Sequence, residues 1–192
     1  MKKLVVATLI LSGLAFSAIS HAEKNTISIG YAQSKVQDFK NINGVNVKYR
    51  YEWDSPISVI GSFTYMTGKG GIDYMATRDM IKNETKVKYY SFSVGPAYRI
   101  NQYVSVYGLL GINYNKIDYR THWYNYEGNR DYVYMGKETG NQKKSALMYG
   151  AGVQINPTDY LAFDIGYEGS RLDVSGRDYS INGFNIGVGY SF

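Results

Sequence analysis

From Gly183 to Phe192, bulky apolar residues alternate with small or polar ones. Phe184, Ile186, Val188, Tyr190 and Phe192 take one face, and Gly183, Asn185, Gly187, Gly189 and Ser191 the other. A period of two marks an extended strand. In a soluble sandwich the bulky face would point inward and the outer face would carry charge. Here the second face is glycine, serine and asparagine, which suits a crowded interior with the bulky face turned out to lipid.

The pattern recurs upstream. Leu161, Phe163, Ile165 and Tyr167 form one set, and Leu147, Tyr149, Ala151, Val153 and Ile155 another. Val104, Val106, Leu110, Ile112 and Tyr114 follow with an interruption at Gly108, then Tyr90, Phe92, Val94, Pro96, Tyr98 and Ile100. Ile57, Val59, Phe63 and Tyr65, then Val45, Val47, Tyr49, Tyr51 and Trp53, and finally Ile27, Ile29 and Tyr31 complete about eight strands, the even number that single-chain bacterial barrels use. Asp54-Ser55-Pro56, Asn101-Gln102 and Asn156-Pro157-Thr158-Asp159 read as tight turns. The links at 34–43, 68–84, 120–142 and 173–180 are longer. The pattern therefore predicts an all-β fold: an eight-stranded antiparallel transmembrane β-barrel with short periplasmic turns and long extracellular loops. Pro96, within a strand, costs a ladder hydrogen bond and is tolerable at a bulge.

The first residues set the compartment. Lys2 and Lys3 precede an apolar run from Leu4 to Ile19, and Ser20-His21-Ala22 puts small residues at a signal-peptidase site. Residues 1–22 are thus expected to be a signal peptide and 23–192 the outer-membrane barrel. The chain has 21 tyrosines and 21 glycines beside three prolines and no cysteine. Tyrosine suits strands and membrane interfaces, and glycine saves space in a narrow tube. Without cysteine there is neither a disulfide framework nor a thiolate metal site.

With this topology the charges sort themselves. Lys48, Arg50, Glu52, Arg99, Asp164 and Glu168 fall on the small-residue face, three of each sign, as a packed interior held by ion pairs requires. An ion path is the competing reading of such a network, and the bore of an eight-stranded barrel argues against it. Lys86, Lys88, Lys116, Arg120, Lys143, Lys144 and Arg171 lie in the long links or at their rim, placed to meet the phosphates of lipopolysaccharide. Ordinary solvation explains surface lysines equally well. Outward aromatic residues form two belts: Trp53, Tyr98, Tyr190 and Phe192 near the short turns, and Tyr31, Tyr65, Tyr90, Tyr114, Tyr149 and Tyr167 higher.

Catalytic signals are sparse. After loss of His21 with the leader, His122 is the one histidine left, and no phosphate loop, HExxH or GxSxG occurs. A lone histidine in a tyrosine-rich loop is more often a surface residue than the catalytic partner of Asp118 and a loop serine, and Asp131 and Glu127 near Asn125 match no compact calcium-loop spacing. Neither an enzyme, a cofactor nor a metal site is expected. The third link reads His122-Trp123-Tyr124-Asn125-Tyr126-Glu127-Gly128-Asn129-Arg130-Asp131-Tyr132-Val133-Tyr134. Trp, Tyr and Arg among Asn and Gly are the residue types of protein-recognition surfaces, although such rings also pack a loop on itself. Tyr74, Arg78, Trp123, Tyr124, Tyr126, Arg130, Tyr132 and Tyr134 are the candidate host-protein contacts. The segments 84–100 and 103–119 exceed the roughly 9–11 residues needed to cross a bilayer, so a small sheet should project and offer an edge to a partner strand.

Several blocks resemble the Ail/Lom family of small outer-membrane proteins. They are Gly30-Tyr31-Ala32-Gln33-Ser34, Lys48-Tyr49-Arg50-Tyr51-Glu52, Val59-Ile60-Gly61-Ser62-Phe63-Thr64-Tyr65, Gly95-Pro96-Ala97-Tyr98-Arg99-Ile100-Asn101, Tyr149-Gly150-Ala151-Gly152-Val153-Gln154, Tyr167-Glu168-Gly169-Ser170-Arg171 and Gly187-Val188-Gly189-Tyr190-Ser191-Phe192. The resemblance implies an eight-stranded barrel with a protruding sheet. It also implies adhesion to host cells or matrix and resistance to complement, with a host matrix or complement-regulatory protein as partner. The alternative is an envelope-stabilising barrel that binds lipopolysaccharide and has no host partner. Assembly by the barrel-assembly machinery, a monomeric state and no nucleic-acid partner complete the expectation.

Overall fold

Alternation of apolar and small residues lets each segment present one face to lipid and one to the lumen. In the computed structural model this produces a ring. Residues 24–37, 39–76, 79–128, 131–174 and 177–192 are described, and the expected leader at 1–22 lies outside them. The strands are β1 (Lys24–Val36), β2 (Asn41–Glu52), β3 (Ile57–Ala76), β4 (Asp79–Arg99), β5 (Val104–Gly128), β6 (Asp131–Ile155), β7 (Leu161–Val174) and β8 (Arg177–Ser191). Each pairs antiparallel with its sequence neighbour, and β1 pairs with β8 to close the barrel. The seam ends where the Asn25 N–H donates to Phe192 O and the Phe192 N–H to Asn25 O, both at 2.8 Å.

The pattern of exposure inverts that of a soluble protein. Leu110, Leu147, Phe92 and Ile186 stand more than half exposed on the outer wall, while Lys48, Arg50, Asp164 and Gln154 are buried. The outer wall carries the aromatic belts. Tyr65, Tyr90 and Tyr114 follow one another on three neighbouring strands, with ring centroids 4.9 and 6.4 Å apart. Near the short turns Tyr160, Tyr190 and Phe192 stack in sequence.

Strand length divides the barrel in two. β1, β2, β7 and β8 have 13, 12, 14 and 15 residues, whereas β3 to β6 have 20, 21, 25 and 25. The links at 68–84 and 120–142 are therefore mostly strand rather than loop. β3 and β4 stay paired up to Ala76↔Asp79, and β5 and β6 up to Gly128↔Asp131, where Gly128 takes φ +94° at the turn. Both faces of these extensions meet water, so their polarity no longer alternates, and the period-two signal is lost although the ladder continues.

Pro96 shows how the ring absorbs a missing donor. β4 and β5 pair up to Val94↔Leu110 and again from Ala97↔Tyr107, in the same register, with the ladder interrupted at Gly95 and Pro96. A Cβ on Gly95 would run into the backbone of Gly108, so the strands approach closely here. The seam is equally tight, because Gly30 and Gly187 face each other and a Cβ on Gly30 would sit 2.7 Å from the Gly187 Cα.

Replacing Gly30 by valine should overpack the closing seam and cost about 1–3 kcal/mol. Gly108→Ala, where a Cβ meets nothing within 4 Å, should fold like the parent. Urea unfolding in lipid vesicles, followed by heat-modifiable gel migration, checks both; equal stability of the two variants would contradict this account of the seam.

Candidate functional site

The lumen is a stack of side-chain layers. At the periplasmic end Arg50 lies 3.3 Å from Glu52, and Glu52 also pairs with Arg99. Arg50 donates to Ser58 Oγ and to Gln154 Oε1, both at 2.8 Å. In the middle, Lys48 pairs with Asp164 and donates to Asn185, while the Tyr107 hydroxyl donates to Asp164 at 2.9 Å. Above them Glu168 accepts from Thr64 at 2.8 Å and from Tyr89. The six charged residues placed on the small face thus lie along the lumen, five of them as direct partners of another member, with Lys48 joined to Asp164 and Glu52 shared by two arginines. Glu168 is held by hydroxyls instead.

An apolar seal ends the stack. Ala32, Ile42, Met66, Val87, Tyr89 and Ile181 pack together, with Val36, Phe39 and Ile117 against them. Phe39, from the β1–β2 connection, lies against Gly70 of β3. An eight-stranded tube has little free bore, and this plug closes what remains at the extracellular end.

Above the seal, strand parity sorts the four long strands into an outer face continuous with the lipid-facing wall and an inner face continuous with the lumen. Directly above the Tyr65–Tyr90–Tyr114 belt the outer face bears the row Thr67, Lys88, Lys116 and Lys143, which are cross-strand neighbours. Lys69, Lys86, Asp118 and Asn141 form the next row and Gly71, Glu84, Arg120 and Thr139 the one beyond. Like charges directly opposite destabilise a sheet, and Lys88, Lys116 and Lys143 stand side by side. Asp118, 3.4 Å from Lys116, offsets part of that repulsion. Arg171 shares this outer parity on β7. Lys144, grouped with the rim from sequence, pairs with Asn115 on the inner face instead, because neighbouring residues of a strand point oppositely.

The tip of the β5–β6 hairpin gathers rings. Tyr124 and Tyr134 have centroids 5.5 Å apart, Tyr126 and Tyr132 5.6 Å, and His122 and Tyr134 6.0 Å; the Lys82 ammonium stands 5.4 Å from the Tyr124 centroid. A register shift falls between Trp123 and Tyr124. Trp123 pairs with Gly136 and takes the opposite parity to the Tyr124 group, so it does not join that cluster. Arg78 and Arg130 lie outside the described residues, as does the side chain of Tyr74. Sequence reading missed Lys82 and His122 as members of the ring cluster, since their proximity to Tyr124 and Tyr134 follows from cross-strand register alone.

Pairing among the described residues also leaves free edges. β6 meets β7 only between Met148↔Ser170 and Ile155↔Phe163, so its length from Asp131 to Leu147 has no strand on that side. β3 beyond Thr67 has none on the β2 side. Among the described residues, no group of three His, Cys, Asp or Glu is arranged to hold a metal ion.

Comparison with known proteins agrees with this architecture. The model of the enterobacterial Ail/Lom protein family matches residues 2–192. The virulence membrane protein PagC of Salmonella typhimurium is 41% identical over the full length of both chains, and outer membrane protein X of Escherichia coli is 38% identical, also over both full lengths. The crystal structure of Ail, the attachment invasion locus protein of Yersinia pestis, in complex with the heparin analogue sucrose octasulfate, superposes with a TM-score of 0.67 at 35% identity, covering 90% of this chain and 100% of that one. These relatives are outer-membrane barrels rather than enzymes.

Lys48→Met would leave Asp164 charged and buried without its cation, and should cost about 3–5 kcal/mol of stability. The double variant Lys48→Met/Asp164→Asn should recover much of that loss. Equilibrium unfolding of the two singles and the double forms the cycle; strict additivity would show that the pair is not coupled.

Proposed function

The chain belongs to the Ail/Lom family of enterobacterial outer-membrane proteins, and from that premise we propose that it is a surface adhesin that also protects the cell from complement. Its location in the outer membrane and its kinship with virulence and attachment-invasion proteins are the ground for this reading. The observation that carries it is the projection of β3 to β6 past the membrane. A tilted strand crosses in roughly 9–11 residues, so strands of 20 to 25 residues hold a rigid four-stranded sheet well clear of the lipid.

Two features of that sheet suit a protein partner. The tyrosine cluster at the β5–β6 tip offers large rigid rings of low conformational entropy. Trp123 and Tyr134, 40% and 49% exposed, stand on its two faces. The free edge of β6 presents unpaired N–H and C=O groups on which an extended segment of a matrix or complement-regulatory protein would add as a further strand. Tyr124, Tyr126, Tyr132 and Tyr134, with Tyr74, Arg78 and Arg130, are the contacts we assign to such a partner.

The lysine row favours a second role in the same molecule. Lys88, Lys116 and Lys143, with Lys86, Arg120 and Arg171, face outward at the height where the outer leaflet carries its phosphates, and ammonium groups there bind and cross-link lipopolysaccharide.

Expressed in a serum-sensitive, non-adherent strain, the protein should raise survival in fresh serum and binding to epithelial cells. Trimming both long hairpins to membrane height should abolish each effect while the barrel remains at the surface. Equal killing of the two strains would exclude the complement role, and equal adhesion the adhesin role. The triple change Lys88→Gln/Lys116→Gln/Lys143→Gln should leave serum survival in place and increase uptake of a hydrophobic dye through the outer membrane. Unchanged uptake would remove the lipopolysaccharide role.

A further inference from the structure

Two lysines of β6 have no part in the row at the membrane: Lys144, which faces Asn115 on the inner side, and Lys137, higher on the outer side. From Tyr132 to Leu147 the free edge of β6 carries Lys137, Lys143 and Lys144 against a single acid, Glu138. We propose that this edge selects an acidic extended segment as its partner strand. The proposal rests on the reading of the β6 edge as a docking strip for a host protein, and it names the chemistry of what docks.

Register leaves the excess charge uncompensated. Lys137 ends a cross-strand row that runs Asp73, Lys82, His122, Lys137 from β3 to β6. Asp73 stands opposite Lys82 at the far end of that row. It lies three strand spacings from Lys137, roughly 14 Å, which exceeds the screening length of about 8 Å. Glu138 is adjacent in sequence and so points to the other face. Lys137, Glu138 and Lys144 are exposed, and none of them forms an ion pair among the described residues.

The same charges decide between occupants. A second copy of the chain would bring one lysine-rich edge against another, and like charges across a strand pair destabilise it. Lysine on an exposed edge is a common device against such self-pairing. A segment with acids opposite these lysines turns the repulsion into attraction. One set of residues thus excludes the chain's own copy and admits the partner. The other free edge, on β3 beyond Thr67, has no such preference, because Lys69 and Asp73 cancel.

Antiparallel pairing fixes the pattern. From Lys144↔Asn115 to Gly136↔Trp123 the β6 ladder is regular, and the register shift comes only above it. A strand antiparallel to β6 meets Lys144 first, then Glu138, then Lys137. The complementary segment is therefore an acid, five intervening residues, a base and a second acid. Threonine and valine in the intervening positions favour the extended form.

The test is fluorescence anisotropy of the folded full chain in lipid nanodiscs with a short labelled peptide of that pattern. It should bind, and its charge-reversed counterpart should bind at least about fivefold more weakly. Lys137→Glu/Lys144→Glu should invert that preference, whereas Lys88→Gln, on β4 away from the edge, should leave both affinities within about twofold of the parent. N-methylation of alternate peptide amides should abolish binding in the phase that faces β6 and spare it in the other, because strand addition uses only one set of N–H groups. Heat-modifiable migration confirms that each variant is folded. Unlabelled peptide should also reduce hairpin-dependent attachment of expressing cells. Failure of the peptide to bind, indifference to charge reversal, equal effects of the two N-methylation phases, or self-association through this edge in sedimentation would each overturn the proposal, even with attachment intact. Charge-selective peptide binding by a protein that confers no attachment would instead remove the adhesin role and leave the selectivity of the edge in place.

Discussion

Closure of the ring is the constraint from which the rest follows. Lipid offers no partner to a backbone N–H or C=O, so a spanning sheet must have no edge. Here the β1–β8 seam removes it. Eight strands are close to the smallest number that can close, and the lumen that results admits side chains and little else. That is why the inner face is small or polar, why glycines meet across the seam, and why tyrosine so often lies against glycine. In the lumen Tyr107 reaches over Gly152 and Gly166, and on the outer wall Tyr149 likewise lies over Gly169. In each pair the ring fills the volume that the missing side chain leaves.

The same narrowness forces electrical balance. A charge in the lumen has neither bulk water nor room to move away from its neighbours, so Lys48, Arg50 and Arg99 stand against Glu52, Asp164 and Glu168. Removing one partner strands the other in a medium of low dielectric. This network fills the lumen, and the apolar plug of Ile42, Met66, Val87 and Ile181 separates it from the outside. The barrel is a rigid post, and binding chemistry belongs to what the post carries.

How much of this was readable in the chain depended on whether two faces of a strand met different media. Between the belts one face meets lipid and the other the lumen, and the alternation of Phe184 to Phe192 or of Leu161 to Tyr167 shows both. The six lumen charges were conspicuous because they interrupt a face of glycine and serine. Above the membrane both faces meet water and the signal fades, so 68–84 and 120–142 read as links although the ladder runs through most of them. The plug was equally hidden. Ile42 and Ile181 are apolar residues on the inner face at the ends of strands, where they resemble breaks in the pattern. Lys144 and Trp123 take the face opposite to the neighbours they were grouped with, because parity, and a register shift between Trp123 and Tyr124, are properties of pairing and not of composition.

Parity also explains how one small sheet can serve two surroundings. Along β4 to β6 the outer positions Lys88, Lys116 and Lys143 stand directly above the tyrosine belt, and the wall they continue is bathed in the outer leaflet. The inner positions of the same strands, Thr85 and Tyr119 among them, are shielded from lipid by the curvature of the ring and open only upward. A slip of one residue would exchange the two sets and bring the lysine row over the plug. The register pinned by the barrel below forbids that slip. The spanning part thus determines which side of the projecting strands faces the cell's own lipid and which faces molecules arriving from outside.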